Sequence, residues 1–560
     1  MPWQNLGPTT RPIIMGGRGM VASAHPLASQ AGLRILQAGG NAVDAAVAVA
    51  AALNVCEPFM SGAAGDGYML IHTARDGQLR ALDYVGRSPY NSTTEPFYRE
   101  DKHPDPESMG LGPKASLVPG AIGGWLTAHQ EYGKLSREEI FAPAIEYAEG
   151  GYPLTVRGAV FYQSGVERLN DEARAVFAPG GVVPPPGTII RQPNLAKTFR
   201  ILAAEGMEAF YRGEIGERIV AYLEAQGGFL NRQDLIDFEA EWQEPISSTY
   251  RGHTIRTLAP PCSGFQYLEA LNILEAYDLA ASGHNSAATI HLMVEATKLA
   301  VADRIVYAPH PDVPIDELLS KAYAAQRRGE IDLAFAGLSE GERYGGKPGQ
   351  EFVQSGEPRP GFKRAFGLPS GGLYDHTTHF DVVDAEGNAV SVTQSLGAVF
   401  GSGIMAGDTG LMMNNLMYWF DLDQSSPNAL APHKKIEMCM APAAVYRPDG
   451  GLFMVIGTPG SFGILQTTMQ MISNVLDHNY SIQAAIEAPR FRAFAGTELH
   501  LEGRIPESVR NDLAALAHGV KAIEDWSWSV GGGHGVMIDP DTGARYGGAD
   551  PRRDGAAVGY

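Results

Sequence analysis

Cysteine is scarce in this sequence, and its scarcity excludes a disulfide-stapled scaffold. Only Cys56, Cys262 and Cys439 occur among 560 residues. Three thiols cannot form the paired framework of a small secreted domain, and none stands in the Cys-x-x-Cys spacing that many zinc sites use. We therefore expect no disulfide framework, no metal and no other cofactor, and a reducing compartment is favoured.

Basic residues are outnumbered, and long apolar runs are missing. The chain has 43 Lys and Arg against 63 Asp and Glu, a formal net charge of -20 at pH 7. Nucleic acids and anionic membranes would repel such a surface, so neither is expected as a partner. The longest strongly apolar run, residues 45–53, is roughly half of what a bilayer requires. The N-terminal stretch is not typical of a signal peptide, and we expect a cytoplasmic protein.

What is present suits a large, loop-rich enzyme, with 67 Gly and 37 Pro. Residues 27–55 predict a helix, a turn at Gly39-Gly40 and an Ala-rich helix capped by Asn41. Residues 194–240 and 264–328 predict mainly helices. Residues 329–376 are polar and rich in Gly and Pro, which is typical of an exposed, flexible linker.

The pattern changes to strands directly after this linker. The stretch HFDVVDAEGNAVSVTQSLG alternates and turns at residues 384–388, which predicts a hairpin that begins near Thr377. If the bond before Thr377 were cut, its freed amine, with a pKa near ~7.7–8.0 in a peptide, could serve as base for its own hydroxyl. A Thr-Thr pair at a strand start also reflects ordinary strand propensity, so these residues alone leave both interpretations open.

Several separated blocks resemble the γ-glutamyltransferase family, in the same order and over nearly the whole chain. The blocks are GMVASAHPLASQAGLRILQAGGNAVDAAVAVAAALNVCEP (19–58), SGAAGDGYML (61–70), LVPGAIGGW (117–125), TTHFDVVDAEGNAVSVTQSLGAVFGSGIMAGDTGLMMNN (377–415), GTPGSFGILQ (457–466), EAPRF (487–491) and GGADPRRDGAAVGY (547–560). The resemblance implies an α+β fold, a four-layer αββα sandwich of the N-terminal nucleophile hydrolase type. It also implies self-cleavage between His376 and Thr377. The products would be a large subunit, 1–376, and a small catalytic subunit, 377–560, which associate as one interleaved domain.

The resemblance also implies the catalytic roles. Thr377 would be the nucleophile, and its freed amine the base. Ser395 stands where the family commonly has a second threonine that bonds the nucleophile. Gly460 and Ser461 stand where two glycines offer N–H groups to the oxyanion. Because Ser461 has a side chain, the backbone there should not require a positive φ.

The substrate-reading positions depart from the family pattern. The family's carboxylate-binding arginine falls on Val85, with Arg87 two residues away. The other departures replace polar groups by glycine, apolar side chains or a thiol, at Gly397, Leu416, Trp419, Met438 and Cys439. A charged amino-acid head buried against such groups would lose hydrogen bonds at a cost of several kcal/mol.

We therefore predict a self-processing amidohydrolase that forms an acyl-enzyme and releases it to water or an amine. Its substrate is predicted to be a small-molecule amide without the usual γ-glutamyl head, of the glutaryl or oxamate type. This places the chain closer to cephalosporin-acylase-like or amidase-like members. One alternative is a genuine γ-glutamyltransferase or glutathione hydrolase in which Arg87, Lys434 or Lys435 re-creates the carboxylate grip. Another is an uncleaved, catalytically silent binding protein.

Two further features near these positions have structural interpretations. His376 and His379 lie three apart on a predicted strand, so their side chains should point to opposite faces and share no metal, and His379 is expected to be structural. Trp526 and Trp528, two residues apart, are expected to lie in a strand.

Overall fold

The computed structural model describes residues 7, 9–100, 105–308, 312–337, 376–422, 424, 426–494 and 496–560. The predicted linker, 329–376, therefore lies outside the described residues except for 329–337 and His376. The described strands are β1 (Ile14–Gly16), β2 (Met20–Ser23), β3 (Asp66–Thr73), β4 (Gln78–Asp83), β5 (Tyr152–Pro153), β6 (Ile189–Ile190), β7 (Glu241–Gln243), β8 (Ile246–Tyr250), β9 (His253–Thr257), β10 (His376–Val383), β11 (Ala389–Gly397), β12 (Ala443–Tyr446), β13 (Leu452–Gly457), β14 (Phe491–Ala493), β15 (Glu498–Glu502), β16 (Gly519–Ile523), β17 (His534–Ile538), β18 (Arg545–Ala549) and β19 (Ala556–Gly559).

The α-helices occupy both the long N-terminal part and the C-terminal part of the described chain. They are α1 (Pro26–Gln37), α2 (Ala42–Cys56), α3 (Pro106–Met109), α4 (Ala121–Tyr132), α5 (Arg137–Gly150), α6 (Val156–Gly165), α7 (Asp171–Phe177), α8 (Pro193–Glu205), α9 (Met207–Tyr211), α10 (Glu214–Glu224), α11 (Arg232–Ile236), α12 (Phe265–Leu274), α13 (Leu279–Ser282), α14 (Ala287–Tyr307), α15 (Ile315–Leu318), α16 (Lys321–Arg328), α17 (Gly463–Leu476), α18 (Ile482–Glu487) and α19 (Glu507–Ala515). None of the described helices combines the length and apolar character needed to cross a membrane.

Two seven-stranded sheets face each other and carry helices on their outer surfaces. Sheet I has the order β19-β2-β10-β11-β3-β4-β7, and sheet II has the order β1-β18-β17-β13-β12-β9-β8. Helices α1, α2 and α4 contact sheet I, whereas α12, α17 and α18 contact sheet II. This arrangement confirms the predicted α+β class and the four-layer αββα sandwich. Each sheet takes strands from both sides of residue 376, so the two predicted subunits interleave.

Helix α2 packs directly on the central strands of sheet I. All of its residues are buried, and most are alanine or valine. Asn41 caps it by accepting the N–H groups of Val43 and Asp44, and Asp44 bonds back to the N–H of Asn41. The Asn41 cap and the burial of this helix, both predicted from the sequence, are confirmed.

The central hairpin of sheet I presents two chemically different faces. Phe380 and Val382 of β10 belong to the apolar cluster shared with α2. The alternate residues face sheet II, where the His379 ring lies against Gly457 of β13. His379 bonds Thr393 Oγ1 at 2.8 Å and Asp381 Oδ2 at 2.9 Å. Both ring nitrogens are therefore occupied, which agrees with a structural role for this histidine.

Candidate active site

Thr377 and Ser395 lie side by side at the start of the central hairpin. They are almost fully buried, and the register of β10 against β11 shifts between His376 and Thr378. Thr377 Oγ1 is 3.2 Å from Ser395 Oγ, which in turn accepts the N–H of Gly397 at 2.8 Å. The structure thus brings together the two hydroxyls that the sequence assigned to the catalytic centre.

The carbonyl oxygen of His376 lies between these two hydroxyls. Thr377 Oγ1 and Ser395 Oγ each lie 2.7 Å from it, and Ser395 donates its proton to it. A hydrogen bond to a carbonyl oxygen draws electron density from the carbon and stabilises the negative charge that attack would create. The arrangement therefore suits attack by the Thr377 hydroxyl on the peptide bond that precedes it.

The side chain of His376 is held by aromatic packing. Its ring stacks on Trp528, with centroids 5.3 Å apart, and meets Phe161 edge-on at 5.4 Å. Burial, assisted by Arg553 and Arg168, holds the pKa of His376 well below its usual range, so the ring is neutral.

The strand predicted at Trp526 and Trp528 is wrong. Trp528 begins a 3₁₀ turn, Trp528–Val530, which is followed by Gly531 with a φ of 96°.

Two charged side chains flank Thr377, and sequence reasoning gave neither of them a role. Arg553 donates to the carbonyl oxygen of Thr377 at 3.1 Å. Glu57, directly after α2, accepts the Thr378 hydroxyl at 3.1 Å. Burial raises the pKa of Glu57 to about 7, although Arg553 opposes the shift. Both residues lie within the blocks of sequence that resemble the family. Their location in these blocks was the only feature of the sequence that could have indicated a functional role.

Gly460 and Ser461 form the turn that joins β13 to α17. Their φ angles are 130° and 55°, so the expectation that Ser461 avoids a positive φ is wrong. The turn is closed by bonds from Gly463 N–H to Gly460 O and from Ile464 N–H to Ser461 O, which hold Ser461 in the left-handed region at a cost of about 1–3 kcal/mol. An oxyanion site requires backbone N–H groups that are not already hydrogen-bonded. Among the described residues, neither Gly460 N–H nor Ser461 N–H donates to an acceptor.

The substrate-reading positions Leu416, Trp419, Met438 and Cys439 are buried in one hydrophobic cluster, which we call the apolar wall. The first two contact residues next to these groups. Leu416 lies against Gly397, at the end of β11. The Trp419 ring meets that of Phe462, the residue after Ser461, with centroids 4.8 Å apart. The remaining positions of this wall, Met438 and Cys439, are also buried.

Cys439 is not suited to nucleophilic chemistry. It is fully buried, and that burial raises the pKa of its thiol well above the usual value. The thiolate is the reactive form of cysteine, and it is not populated here at neutral pH. Cys439 therefore contributes to the apolar wall and offers no rival to Thr377.

The cations that could re-create a carboxylate grip are engaged elsewhere. Arg87 is partly exposed and pairs with Glu241 of the edge strand β7 at 3.3 Å. Lys435 pairs with Asp83 at 2.5 Å and with Glu241 at 3.1 Å. Lys434 donates to the carbonyl oxygens of residues 427 and 429. The structure therefore directs Arg87 towards Glu241 and does not bring it to the catalytic hydroxyls.

One group of described residues has ligand atoms close enough for a metal ion. His291 and Glu295 of α14 and His518 offer atoms within 4.8 Å of one another. However, the Lys298 ammonium lies 2.7 Å from Glu295 Oε1, and Gly337 N–H occupies Oε2. This ammonium already supplies the positive charge that a metal would bring, and we assign no metal there.

Comparisons with known proteins agree with this geometry. A family model described as Gamma-glutamyltranspeptidase matches residues 28–560. The Acylase ACY 1 proenzyme of Pseudomonas sp. (strain V22) is 37% identical over 561 residues, covering 97% of this chain and 94% of that protein. The Glutathione hydrolase proenzyme of Escherichia coli (strain K12) is 34% identical over 568 residues, covering 98% and 93%. A crystal structure of cephalosporin acylase from Bacillus halodurans has a TM-score of 0.86 at 33% identity, covering 99% and 98%.

Replacing Glu57 by Gln should flatten the pH dependence of stability. The folded-state pKa of Glu57, about 7, exceeds the usual 4.5, because burial penalises the charged form. The folded state therefore has its full stability while Glu57 is protonated below pH 4.5, and it loses stability as the pH rises to about 7. A glutamine side chain cannot titrate, so the melting temperature of Glu57→Gln should fall less than that of wild type between pH 5 and pH 7.5. The exposed Glu386→Gln variant is the control. Equal slopes in all three proteins would contradict the assignment.

Replacing Gly397 by Ala should impair the site without touching a catalytic side chain. Gly397 has a φ of 102°, and a Cβ there would collide with Asn415 Oδ1. The strand end must shift, which weakens the bond from Gly397 N–H to Ser395 Oγ. We expect a lower melting temperature, and we expect the predicted cleavage between residues 376 and 377 to be slowed at least ~10-fold, equivalent to about 1.4 kcal/mol. Gly17→Ala, where a Cβ meets open space, should leave both quantities unchanged, and equal behaviour of the two variants would refute the argument.

Proposed function

The chain belongs to the gamma-glutamyltranspeptidase family, and we propose that it is a self-processing amidohydrolase in which Thr377 is the nucleophile. The observation that supports this most directly is the His376 carbonyl oxygen, 2.7 Å from both the Thr377 and Ser395 hydroxyls. Membership of this family makes the chain an amidohydrolase or acyltransferase, rather than a silent binding protein.

Self-cleavage would use groups that already touch. Thr377 Oγ1 attacks the carbonyl carbon of His376, while Ser395 donates to the carbonyl oxygen. The C–N bond then breaks, the proton of the hydroxyl passes to the Thr377 nitrogen, and an ester joins residues 376 and 377. Hydrolysis of this ester leaves a carboxylate on His376 and a free α-amino group on Thr377. The two resulting subunits stay associated because their strands share both sheets.

Turnover of a substrate would repeat the attack with a new acyl group. The freed amine removes the proton of the Thr377 hydroxyl, which attacks the amide carbon of the substrate. The backbone N–H groups of Gly460 and Ser461 stabilise the oxyanion, and each such donor supplies about 3–4 kcal/mol of transition-state stabilisation. The departing amine takes the proton, and water or another amine then resolves the acyl-enzyme.

We further propose that the acyl group lacks a charged α-amino acid head. Leu416, Trp419 and Met438 are buried at the positions that would have to bind that head. Burying an ammonium and a carboxylate without partners costs several kcal/mol, so an amide with a simpler acyl part is favoured. The similarity to proteins named acylase and cephalosporin acylase supports this choice.

The runner-up is a genuine γ-glutamyl substrate. The similarity to the Escherichia coli glutathione hydrolase proenzyme keeps this alternative open. The engaged positions of Arg87, Lys434 and Lys435 count against it, because none is directed at the catalytic hydroxyls.

Substitution of Thr377 should separate cleavage from folding. Wild-type protein should give two bands on a denaturing gel, and their masses should sum to the 59.9 kDa of the chain. Thr377→Ala should stay as one folded band and lose at least ~1,000-fold in amide hydrolysis, because the nucleophile is gone. Thr377→Ser should be cleaved more slowly. Thr378→Val, which alters the neighbouring hydroxyl, is the matched control and should still be cleaved. Cleavage of Thr377→Ala would exclude Thr377 as the nucleophile.

Steady-state kinetics should show the altered specificity. Wild-type protein should hydrolyse a glutaryl anilide with a kcat/KM at least ~10-fold above that for the γ-glutamyl anilide, because the apolar wall discriminates against the ammonium. Trp419→Asp should move this ratio towards the γ-glutamyl substrate, whereas Trp419→Phe should leave it near the wild-type value. Preference of the wild-type protein for the γ-glutamyl anilide would disprove the altered specificity.

A further inference from the structure

Two buried polar groups on β3 have no assigned task. Asp66 and Tyr68 have no exposed surface. Asp66 Oδ2 and Tyr68 Oη have no hydrogen-bond partner among the described residues. A buried polar group left without a partner costs about 1–3 kcal/mol, so a ligand that bonds both atoms would recover part of this free energy.

Their strand places these groups beside the catalytic hydroxyls. In the β3–β11 ladder, Asp66 pairs with Ser395 and Tyr68 pairs with Thr393. Directly opposite residues of antiparallel strands share one face, with Cβ atoms about 4.5–5.5 Å apart. Ser395 is in contact with Thr377 of the next strand. The backbones of Asp66 and Thr377 are thus two strands apart, about 9–10 Å, a span that suits a short acyl chain.

Asp66 and Tyr68 also lie next to two substrate-reading positions, Val85 and Cys439. Asp66 Oδ1 accepts the N–H of Gly86 at 3.0 Å and that of Gly120 at 2.9 Å. Gly86 follows Val85, where the family resemblance places the carboxylate-binding arginine. Burial raises the pKa of the Tyr68 phenol well above its usual value, and Cys439 lies near enough to add to the shift.

Burial favours the protonated, hydrogen-bond-donating form of both groups. Burial raises the pKa of Asp66 well above its usual value, against the effect of the two backbone N–H groups. The charged residues that act on Asp66 are Asp83, which raises its pKa, and Lys435, which lowers it. Because Oδ1 already accepts two N–H groups, a proton on this carboxyl would lie on Oδ2. The phenol of Tyr68 offers a second O–H on the same face.

We propose that Asp66 Oδ2 and Tyr68 Oη hydrogen-bond the terminal carboxylate of a dicarboxylic acyl chain whose amide carbonyl lies at Thr377. The inference rests on the proposed function, since it needs an acyl group at Thr377. Two neutral donors would take the place of a cationic grip. The preferred substrates are therefore amides of short dicarboxylic acids, such as glutaryl amides.

A matched pair of substrates tests this site. Glutaryl and pentanoyl anilides differ in one end group, a carboxylate against a methyl. The measured quantity is the ratio of kcat/KM for glutaryl over pentanoyl anilide. Tyr68→Phe removes only a hydroxyl that has no partner among the described residues, and it should lower this ratio at least ~10-fold, as expected for a lost hydrogen bond to a charged group. The lowered ratio should arise from a raised KM for the glutaryl substrate.

Three variants separate recognition from a structural role. Tyr84→Phe is the control, because Tyr84 belongs to the apolar cluster on the other face of sheet I, and it should keep the wild-type ratio. Asp66→Asn keeps an acceptor for Gly86 and Gly120 and a donor for the ligand, so its ratio should stay within about threefold of wild type. Asp66→Ala should lower the ratio of kcat/KM for glutaryl over pentanoyl anilide, as Tyr68→Phe does.

Each other outcome decides against a specific claim. An unchanged ratio in cleaved, folded Tyr68→Phe protein would overturn the acyl site, as would an equal loss in Tyr84→Phe. Wild-type protein that hydrolyses the pentanoyl anilide as well as the glutaryl anilide would overturn the acyl site and leave the proposed amidohydrolase standing. Wild-type protein that stays uncleaved and hydrolyses neither anilide would contradict both proposals.

Discussion

The carbonyl oxygen of His376 lies 2.7 Å from the hydroxyl of Thr377 and 2.7 Å from that of Ser395, and the rest of the site depends on these two contacts. They require β10 and β11 to pair with a register shift at Thr377. They also require Gly397, whose N–H bonds Ser395 Oγ where no side chain would fit. Behind them, the bonds of His379 to Thr393 and Asp381 fasten the two strands inside the sandwich. The fold thereby holds the carbonyl group of His376 between the hydroxyl that is proposed to attack it and the hydroxyl that donates to its oxygen.

We infer that the same fold can hold different acyl groups, because the proposed nucleophile and the proposed recognition groups come from different elements. The hydroxyls belong to the central hairpin, and the proposed oxyanion donors belong to the turn before α17. The wall that is proposed to meet the acyl chain comes from Leu416, Trp419 and Met438, and the proposed donors Asp66 and Tyr68 come from β3. Apolar residues on the wall disfavour a zwitterionic head, whereas the two proposed O–H donors can still donate hydrogen bonds to a single carboxylate. Similarity to both an acylase and a glutathione hydrolase is consistent with this separation.

The local sequence pattern predicted those parts of the structure that are determined by local interactions. The hairpin from Thr377 to Gly397 follows from alternation and a turn. The start of α2 follows from the Asn41 cap, and its burial follows from its apolar composition. Features set by distant contacts were not predictable. The φ of Ser461 is fixed by the turn that starts α17, and Trp528 is drawn into a 3₁₀ turn beside His376. The raised pKa of Glu57 depends on burial and on Arg553, which is far away in sequence. Asp66 carried no signal until its pairing with Ser395 was known.

The most direct test of the central claim is to trap the acyl-enzyme. Wild-type protein would be mixed with a slowly hydrolysed glutaryl amide, quenched in acid, digested and analysed by mass spectrometry. We predict a small subunit that begins Thr-Thr-His-Phe and carries one glutaryl group on the peptide that contains Thr377. A glutaryl group on another residue, or an uncleaved chain that turns over the amide, would contradict it.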